Sequence, residues 1–264
     1  SIRLGYANAS IYKCAKCGAY GNSEKCACGG KGEFRRAISF VDSPGHETLM
    51  TTAIAASSII DGAIFLIAAN EPCPQPQTAE HLMILNATGI KNVVVIQTKI
   101  DLVTRERAIE NMNEISNFLK GSVAEGAPII PIVATQGANI DAVFEAIDAA
   151  IPVPKRNTES MPRIYISRSF DVNKPGAELA TLQGGVLGGS LSQGVLVTGI
   201  EVELRPGIQK KDNSPPEPIK FKIISLRSEG ESLGEAHPGG LIAVGTSLDP
   251  SLTKSDMLVG SVIG

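Results

Sequence analysis

No apolar stretch of the chain approaches the ~20 residues that a membrane-spanning helix requires. The longest, Ala63 to Ala69, has the length of a buried strand. There is no basic excess either. Lys and Arg number 24 against 27 Asp and Glu, a formal net charge of -3, which excludes a globally basic nucleic-acid binder and leaves room only for a local basic patch. The N-terminus, Ser1-Ile2-Arg3-Leu4-Gly5-Tyr6, lacks a signal-peptide layout and an initiator Met, so the expectation is a piece that starts inside a domain. The cysteines are not spread along the chain as a disulfide framework would spread them. Of the five, all but Cys73 lie between Cys14 and Cys28, which points to metal in a reducing compartment, with the cytoplasm expected. Internal repeats and low-complexity tracts are also missing.

What is present suffices for two cores. With 43% apolar and 19% charged residues over 264 positions, the chain is globular, and roughly 150 residues per domain gives about two domains. Residues 1–13 hold a strand candidate, with Ile2, Leu4 and Tyr6 alternating, and 14–33 read as a Gly/Cys/Lys-rich loop. Short apolar runs at Ala37–Val41, Gly62–Ala69, Val93–Ile96 and Pro128–Val133 alternate with helical segments at 47–58, Gln77–Ala87, 105–119 and 140–151. In the third helix, capped by Thr104, Ala108, Met112, Ile115 and Leu119 form one apolar stripe; Asn139 is placed to cap the fourth, with Val143, Ile147 and Ile151 inward. This alternation predicts an α/β fold, a mostly parallel sheet with helices on both faces, over 1–151. Ile151-Pro152-Val153-Pro154 stops the last helix and opens a stiff linker, 152–162. From 163 to 264 the helical period gives way to short alternating runs punctuated by glycines, which predicts a small antiparallel β-barrel; Lys210 to Pro218 reads as a polar hairpin tip.

Three short motifs carry chemistry. Asp42-Ser43-Pro44-Gly45-His46 directly follows an apolar strand. At the carboxyl end of a strand in an open α/β sheet, that turn lies where ligands bind. Asp42 there can hold Mg²⁺, usually through water, the Gly45 N–H can approach a phosphate oxygen, and His46 can orient a water. A plain strand-to-helix turn with a capping Asp fits the same residues. Thr98-Lys99-Ile100-Asp101 follows the next-but-one βα unit. Its carboxylate can accept two hydrogen bonds from guanine N1–H and N2–H₂, a donor pair adenine lacks. Lys99 can lay its apolar stem along the base plane. Val133-Ala134-Thr135 ends the following strand, where a backbone N–H can meet guanine O6.

The cysteines are spaced Cys14-x2-Cys17-x8-Cys26-x-Cys28, two knuckles able to close a tetrahedron around a structural Zn²⁺; four reduced, unliganded thiols are the plainer alternative. Lys13, Lys16, Lys25, Lys31, Arg35 and Arg36 nearby face only Glu24 and Glu33. That excess fits a solvated loop or a contact with RNA or a partner. Cys73 reads as a small buried residue.

The sequence resembles the GTPases of translation. Asp42 to His46 matches their D-x-P-G-H motif and Thr98 to Asp101 their N-K-x-D motif, with Thr for Asn; Val133 stands where their S-A-x loop has Ser. The runs Leu4–Ala9, Asn70–Thr78, Gly121–Pro131 and Arg168–Gly176 are similar to the gamma-subunit family of archaeal and eukaryotic translation initiation factor 2. That resemblance implies a GTP hydrolase that binds GTP/GDP with Mg²⁺. Its sites would be Asp42, Gly45, Thr98, Lys99, Asp101, Val133, Ala134 and Thr135, with His46 catalytic and Cys14, Cys17, Cys26 and Cys28 holding zinc. It implies delivery of initiator methionyl-tRNA to the small ribosomal subunit. The implied partners are alpha and beta subunits, a guanine nucleotide exchange factor and a GTPase activator. The barrel resembles the second domain of elongation factor Tu, in whose family the aminoacylated tRNA end lies near it; Arg168, Phe170 and Gly239–Gly245 are candidates for that contact. The phosphate-loop pattern G-x-x-x-x-G-K-S/T occurs nowhere in the 264 residues. In the family it lies upstream of the segment matched here, with a third domain downstream, so a central piece that binds nucleotide poorly alone is the expectation. Rival readings are a selenocysteine-specific or general elongation factor, a non-hydrolysing tRNA and subunit scaffold, and a zinc-stapled RNA-binding module.

Overall fold

A computed structural model describes residues 5–42, 59–174, 176, 182–208, 215–228 and 230–264. The predicted helix over 47–58 and most of the tip between Lys210 and Pro218 lie outside them. The chain divides into two units, Ser1–Pro154 and Lys155–Gly264.

The first unit opens with an antiparallel sheet of β1 (Gly5–Cys14), β2 (Tyr20–Gly21) and β3 (Gly32–Asp42), in the order β2-β1-β3. The hairpin register runs from Gly5↔Asp42 to Cys14↔Gly32, with a shift after Ile11. β3 therefore starts at Gly32 rather than at Ala37. Glu33 pairs with Lys13 and Phe34 with Tyr12, and the two rings meet edge-on with centroids 5.7 Å apart. Such cross-strand pairs hold a strand together through a polar stretch that has no buried face.

A parallel sheet follows, built from β4 (Ala63–Ala68), β5 (Val93–Thr98) and β6 (Ile129–Pro131). The connecting helices are α1 (Pro76–Thr88), α2 (Arg105–Phe118) and, after β6, α3 (Ile140–Ala150). β5 is central. Val93 and Val95 pack with Leu82 and Leu85 of α1 and Ile115 of α2, while Val94 and Ile96 pack with Val143, Ala146 and Ile147 of α3 and Ile11 of β1. A parallel strand covered on both faces has no polar side to present, hence its unbroken β-branched run. Burying each of these Val, Leu and Ile side chains contributes about 1.5–3 kcal/mol. β4, at the sheet edge, buries Phe65 and Ile67 but leaves Leu66 60% exposed, so the run expected to be buried throughout is not.

Thr104 caps α2 as expected, its hydroxyl accepting the Arg107 N–H at 3.3 Å. Asn139 occupies the cap position of α3, but its side chain does not cap; its Nδ2 donates instead to the Pro131 carbonyl at 2.8 Å, tying the helix start to β6. The apolar stripe of α2 also needs correction. Ile115 and Leu119 are buried, Met112 only partly, and the fully buried residue beside Met112 is Asn111.

In the second unit, β7 (Arg163–Phe170), β8 (Val186–Gln193), β9 (Leu196–Val197) and β10 (Glu201–Ile208) precede β11 (Glu217–Ser228) and β12 (Glu231–Leu233). β13 (Glu235–Ala236), β14 (Ile242–Thr246) and β15 (Val262–Ile263) complete it. The order β10-β15-β7-β8-β14-β11, with β11 pairing back onto β10, closes an antiparallel barrel. Its core of Ile164, Leu187, Leu191, Leu204, Ile223, Leu226 and Val244 is at most 1% exposed. Gly189 is required by close approach: a Cβ there would sit 2.2 Å from the Tyr165 carbonyl oxygen. No helix among the described residues is long and apolar enough to cross a membrane.

Candidate functional site

Two of the three motifs stand side by side at the carboxyl edge of the parallel sheet. Thr98 ends β5 and leads into a 3-10 turn, Ile100–Leu102, while Val133 leads from β6 into another, Ala134–Gln136. Adjacent backbones bind these ends together: the Ile132 N–H donates to the Gln97 carbonyl at 2.8 Å and the Ala69 N–H to the Thr98 carbonyl at 2.9 Å. Lys99 adopts a left-handed backbone, φ 58°, which costs a non-glycine residue about 1 kcal/mol and persists where surroundings fix it. Lys99, Asp101, Ala134 and Thr135 are exposed, Thr98 is half-buried and Val133 is buried. Ala134 begins its turn, and the first N–H groups of such a turn have no partner within it, so they are available to an acceptor.

A buried polar network that sequence reasoning missed lies directly behind the first turn. Gln97, 0% exposed, donates from Nε2 to the Ala108 carbonyl and to Asn111 Oδ1, both at 2.8 Å. Asn111 donates to the Glu71 carbonyl at 3.0 Å and to Glu114 Oε2 at 3.3 Å. Arg107 reaches the same carbonyl at 3.1 Å and Glu114 Oε1 at 2.7 Å. The Arg107 guanidinium holds the Glu114 carboxyl below the usual carboxylate range. Glu114 also accepts the Cys73 N–H at 2.9 Å. Burial, together with this carboxylate, pushes the Cys73 thiol up to about 11. Cys73 itself is only partly buried, packed against the α1–α2 core. The signal in the sequence was a Gln ending an apolar strand one residue before the motif.

The third motif is divided. Asp42 is the exposed last residue of β3, in the antiparallel sheet. That sheet joins the parallel one through a shared apolar cluster that includes Ile11, Ile38 and Phe40. Gly45 and His46 lie outside the described residues.

The four cysteines come together. Their sulfurs all lie within 4.8 Å of one another, with Cys14 and Cys28 at 3.6 Å and Cys17 and Cys26 at 3.5 Å. Sulfurs around tetrahedral zinc, each about 2.3 Å from the metal, are about 3.8 Å apart, so the set fits that ion. Gly30 is part of the fit: a Cβ on it would lie 2.7 Å from Cys14 Sγ. The N–H groups of Cys17 and then Lys16 pull the Cys14 thiol down to about 6. Cys28 is pushed up to about 12; the Gly30 N–H works against this, and the crowding of Cys17, Cys26 and Cys14 outweighs it. Such packing sets the thiolates against one another, and a divalent cation at their centre removes the conflict. Two of the nearby cations are engaged elsewhere. Arg35 pairs with Asp148 at 3.1 Å, and Arg36 binds the Ile147 and Ile151 carbonyls at the end of α3. Tyr20 donates to Asp148 at 3.2 Å, and Lys25 and Lys31 face each other across an isolated bridge.

In the sequence, a βα unit whose strand-end turns lie open at one edge is followed by a closed antiparallel barrel. Residues 19–153 match the family model described as elongation factor Tu GTP binding domain. Over the whole chain, the translation initiation factor 2 subunit gamma of Methanocaldococcus jannaschii is 55% identical and that of Pyrococcus furiosus 52% identical. The chain spans 65% of the length of each. It belongs to the elongation factor Tu-type GTP-binding family. A solved structure of translation elongation factor SelB from Methanococcus maripaludis in complex with the GTP analogue GppNHp matches all of this chain and 49% of its own, with TM-score 0.74 and 23% identity. At that identity it shows the shared fold alone.

Proposed function

We propose that this chain is the working centre of a GTP-dependent initiation-factor subunit. It binds initiator methionyl-tRNA, delivers it to the small ribosomal subunit, and uses GTP hydrolysis as the release switch. The observation that supports this best is the pairing of the Thr98–Asp101 and Val133–Thr135 turns on adjacent strand ends, in a chain 55% identical to an initiation factor 2 gamma subunit. Asp101 accepts guanine N1–H and N2–H₂, Lys99 covers the base plane, and an N–H at Ala134 meets O6. Thr98 and Thr135 brace the two turns, and Val133 seats the second in the core. Asp42 would hold Mg²⁺ through water, and the ion would neutralise phosphate charge. Gly45 contacting the γ-phosphate and His46 positioning the attacking water are roles read from sequence alone. Cys14, Cys17, Cys26 and Cys28 hold zinc in a closed, structural site. Four thiolates on Zn²⁺ carry a net charge of about −2, which the surrounding lysines offset. The further partners of this reading are the alpha and beta subunits, an exchange factor and a GTPase activator.

Titration of the full-length protein with fluorescent GDP and xanthosine diphosphate tests the base site. Asp101→Asn is expected to weaken GDP binding by about ten- to a hundredfold and to favour xanthine. Guanine affinity unchanged in that variant removes the assignment.

A further inference from the structure

The turn that carries Asp101 is fixed at its base by side chains that never reach a ligand. It leaves β5 at Thr98 and enters α2 at Thr104, with seven backbone positions from one to the other. Gln97 spans its open ends. From the last buried position of β5, its carboxamide donates to the Ala108 carbonyl in the first turns of α2 and to Asn111 one turn further on. Asn111 passes the constraint to the neighbouring strand end by donating to the Glu71 carbonyl, where Arg107 donates as well. The Gln97 backbone carbonyl meanwhile receives the Ile132 N–H, one residue before the Val133–Thr135 turn. The strand ends after β4 and β5 are therefore tied to this one side-chain amide pair, which is fully buried, while the turn after β6 is tied to Gln97 only through its backbone. Asp101 itself is exposed, in a three-residue turn with Lys99 in a left-handed conformation ahead of it, so its own surroundings do little to aim it.

We propose that Gln97 and Asn111 are positioning residues for guanine discrimination. They hold the two ends of the Thr98–Thr104 turn at a fixed separation, so that both Asp101 carboxylate oxygens meet the guanine N1–H and N2–H₂ together. The proposal rests on the base-site reading above. Its consequence is specific. A carboxylate free to drift loses the second, 2-amino hydrogen bond first, because bidentate geometry tolerates less displacement than a single bond. A hypoxanthine nucleotide has no 2-amino group and gains nothing from that accuracy. Loosening the staple therefore costs GDP more than inosine diphosphate, whereas general loosening of the domain costs both alike.

The test uses the full-length protein and the ratio of its affinities for GDP and inosine diphosphate, measured by displacement of a fluorescent nucleotide. The double variant Gln97→Met/Asn111→Leu replaces both partners with apolar side chains of similar shape, a change that keeps the core filled while deleting its hydrogen bonds. The ratio is expected to fall about tenfold or more, with inosine diphosphate affinity within about twofold of the parent. Gln97→Met alone is read in the same way should the double variant fail to fold. Asp101→Asn, run in parallel, reports on the base site itself. If it changes the ratio while the Gln97 and Asn111 variants leave it at the parent value, the positioning role is overturned and the base site stands. If Asp101→Asn also leaves the ratio unchanged, the base-site reading has failed.

Discussion

Two segments of the first unit solve the same problem by different chemistry. Each must hold an irregular turn still. The knuckle between β1 and β3 gathers four sulfurs within 4.8 Å of one another, on a loop whose side chains are mostly exposed. The turn after β5 relies on Gln97 and Asn111, both 0% exposed, joined by uncharged hydrogen bonds inside the core. The difference is location. A small excursion outside the core has too little apolar surface to order itself, and cross-linking by metal substitutes for burial. A turn at a sheet edge can borrow the core beneath it, but only by burying polar groups there, and one of these, Gln97 Oε1, has no hydrogen-bond partner among the described residues. With zinc bound as proposed, the first device would depend on a metal ion and on thiol redox state; the second depends on neither.

The largest way to break this contrast is to remove a sulfur. Cys14→Ser is expected to abolish stoichiometric zinc, read by metal analysis of the purified protein. It should leave the GDP to inosine diphosphate ratio within about twofold of the parent. A large shift in that ratio would mean the two segments are not independent. Gly30→Ala probes the knuckle more gently. Its new methyl meets Cys14 Sγ at 2.7 Å and Lys16 Cβ at 2.9 Å, so zinc affinity is expected to fall about ten- to a hundredfold in chelator competition.

The smallest effect is on the network behind the base turn, under acid. Arg107 holds the folded Glu114 pKa below its unfolded value. The stability this group contributes is therefore complete above about pH 4.3, the ordinary Glu pKa, and is lost as pH falls through the lower folded value. Melting of the parent should weaken more steeply below that pH than melting of Glu114→Gln. Parallel curves for the two proteins would show that the ion pair is not linked to folding.

The placement of the two motifs after β5 and β6 was legible in sequence because each is a contiguous run just past a strand, and the position of a strand end follows from the apolar run before it. The cysteine cluster was legible from spacing. What stayed hidden was polar structure that behaves as core. Asn111 sits where an apolar stripe was expected to hold Met112, because a paired amide can be buried as fully as a methyl group, while residue type alone marks it as surface. The start of β3 was missed for the converse reason: Glu33 falls in the polar loop and Phe34 to Arg36 precede the apolar run that begins at Ala37, yet this stretch extends the hairpin through cross-strand pairs that depend on the partner strand. Asn139 had the right type for a cap and the wrong backbone, a left-handed φ of 61° that turns its amide toward Pro131.

The hairpin register has a consequence for how this gene can change. β1 and β3 remain paired up to Cys14↔Gly32, so everything between those two positions is an excursion that leaves from and returns to neighbouring rungs of one ladder. Lengthening or shortening that cassette leaves every rung below it in place, provided that Tyr20, which packs on the Ile11 cluster and donates to Asp148, is kept. A lineage that loses its sulfurs, or an engineer grafting a tag beyond Gly21, can do so without redrawing the rest of the domain.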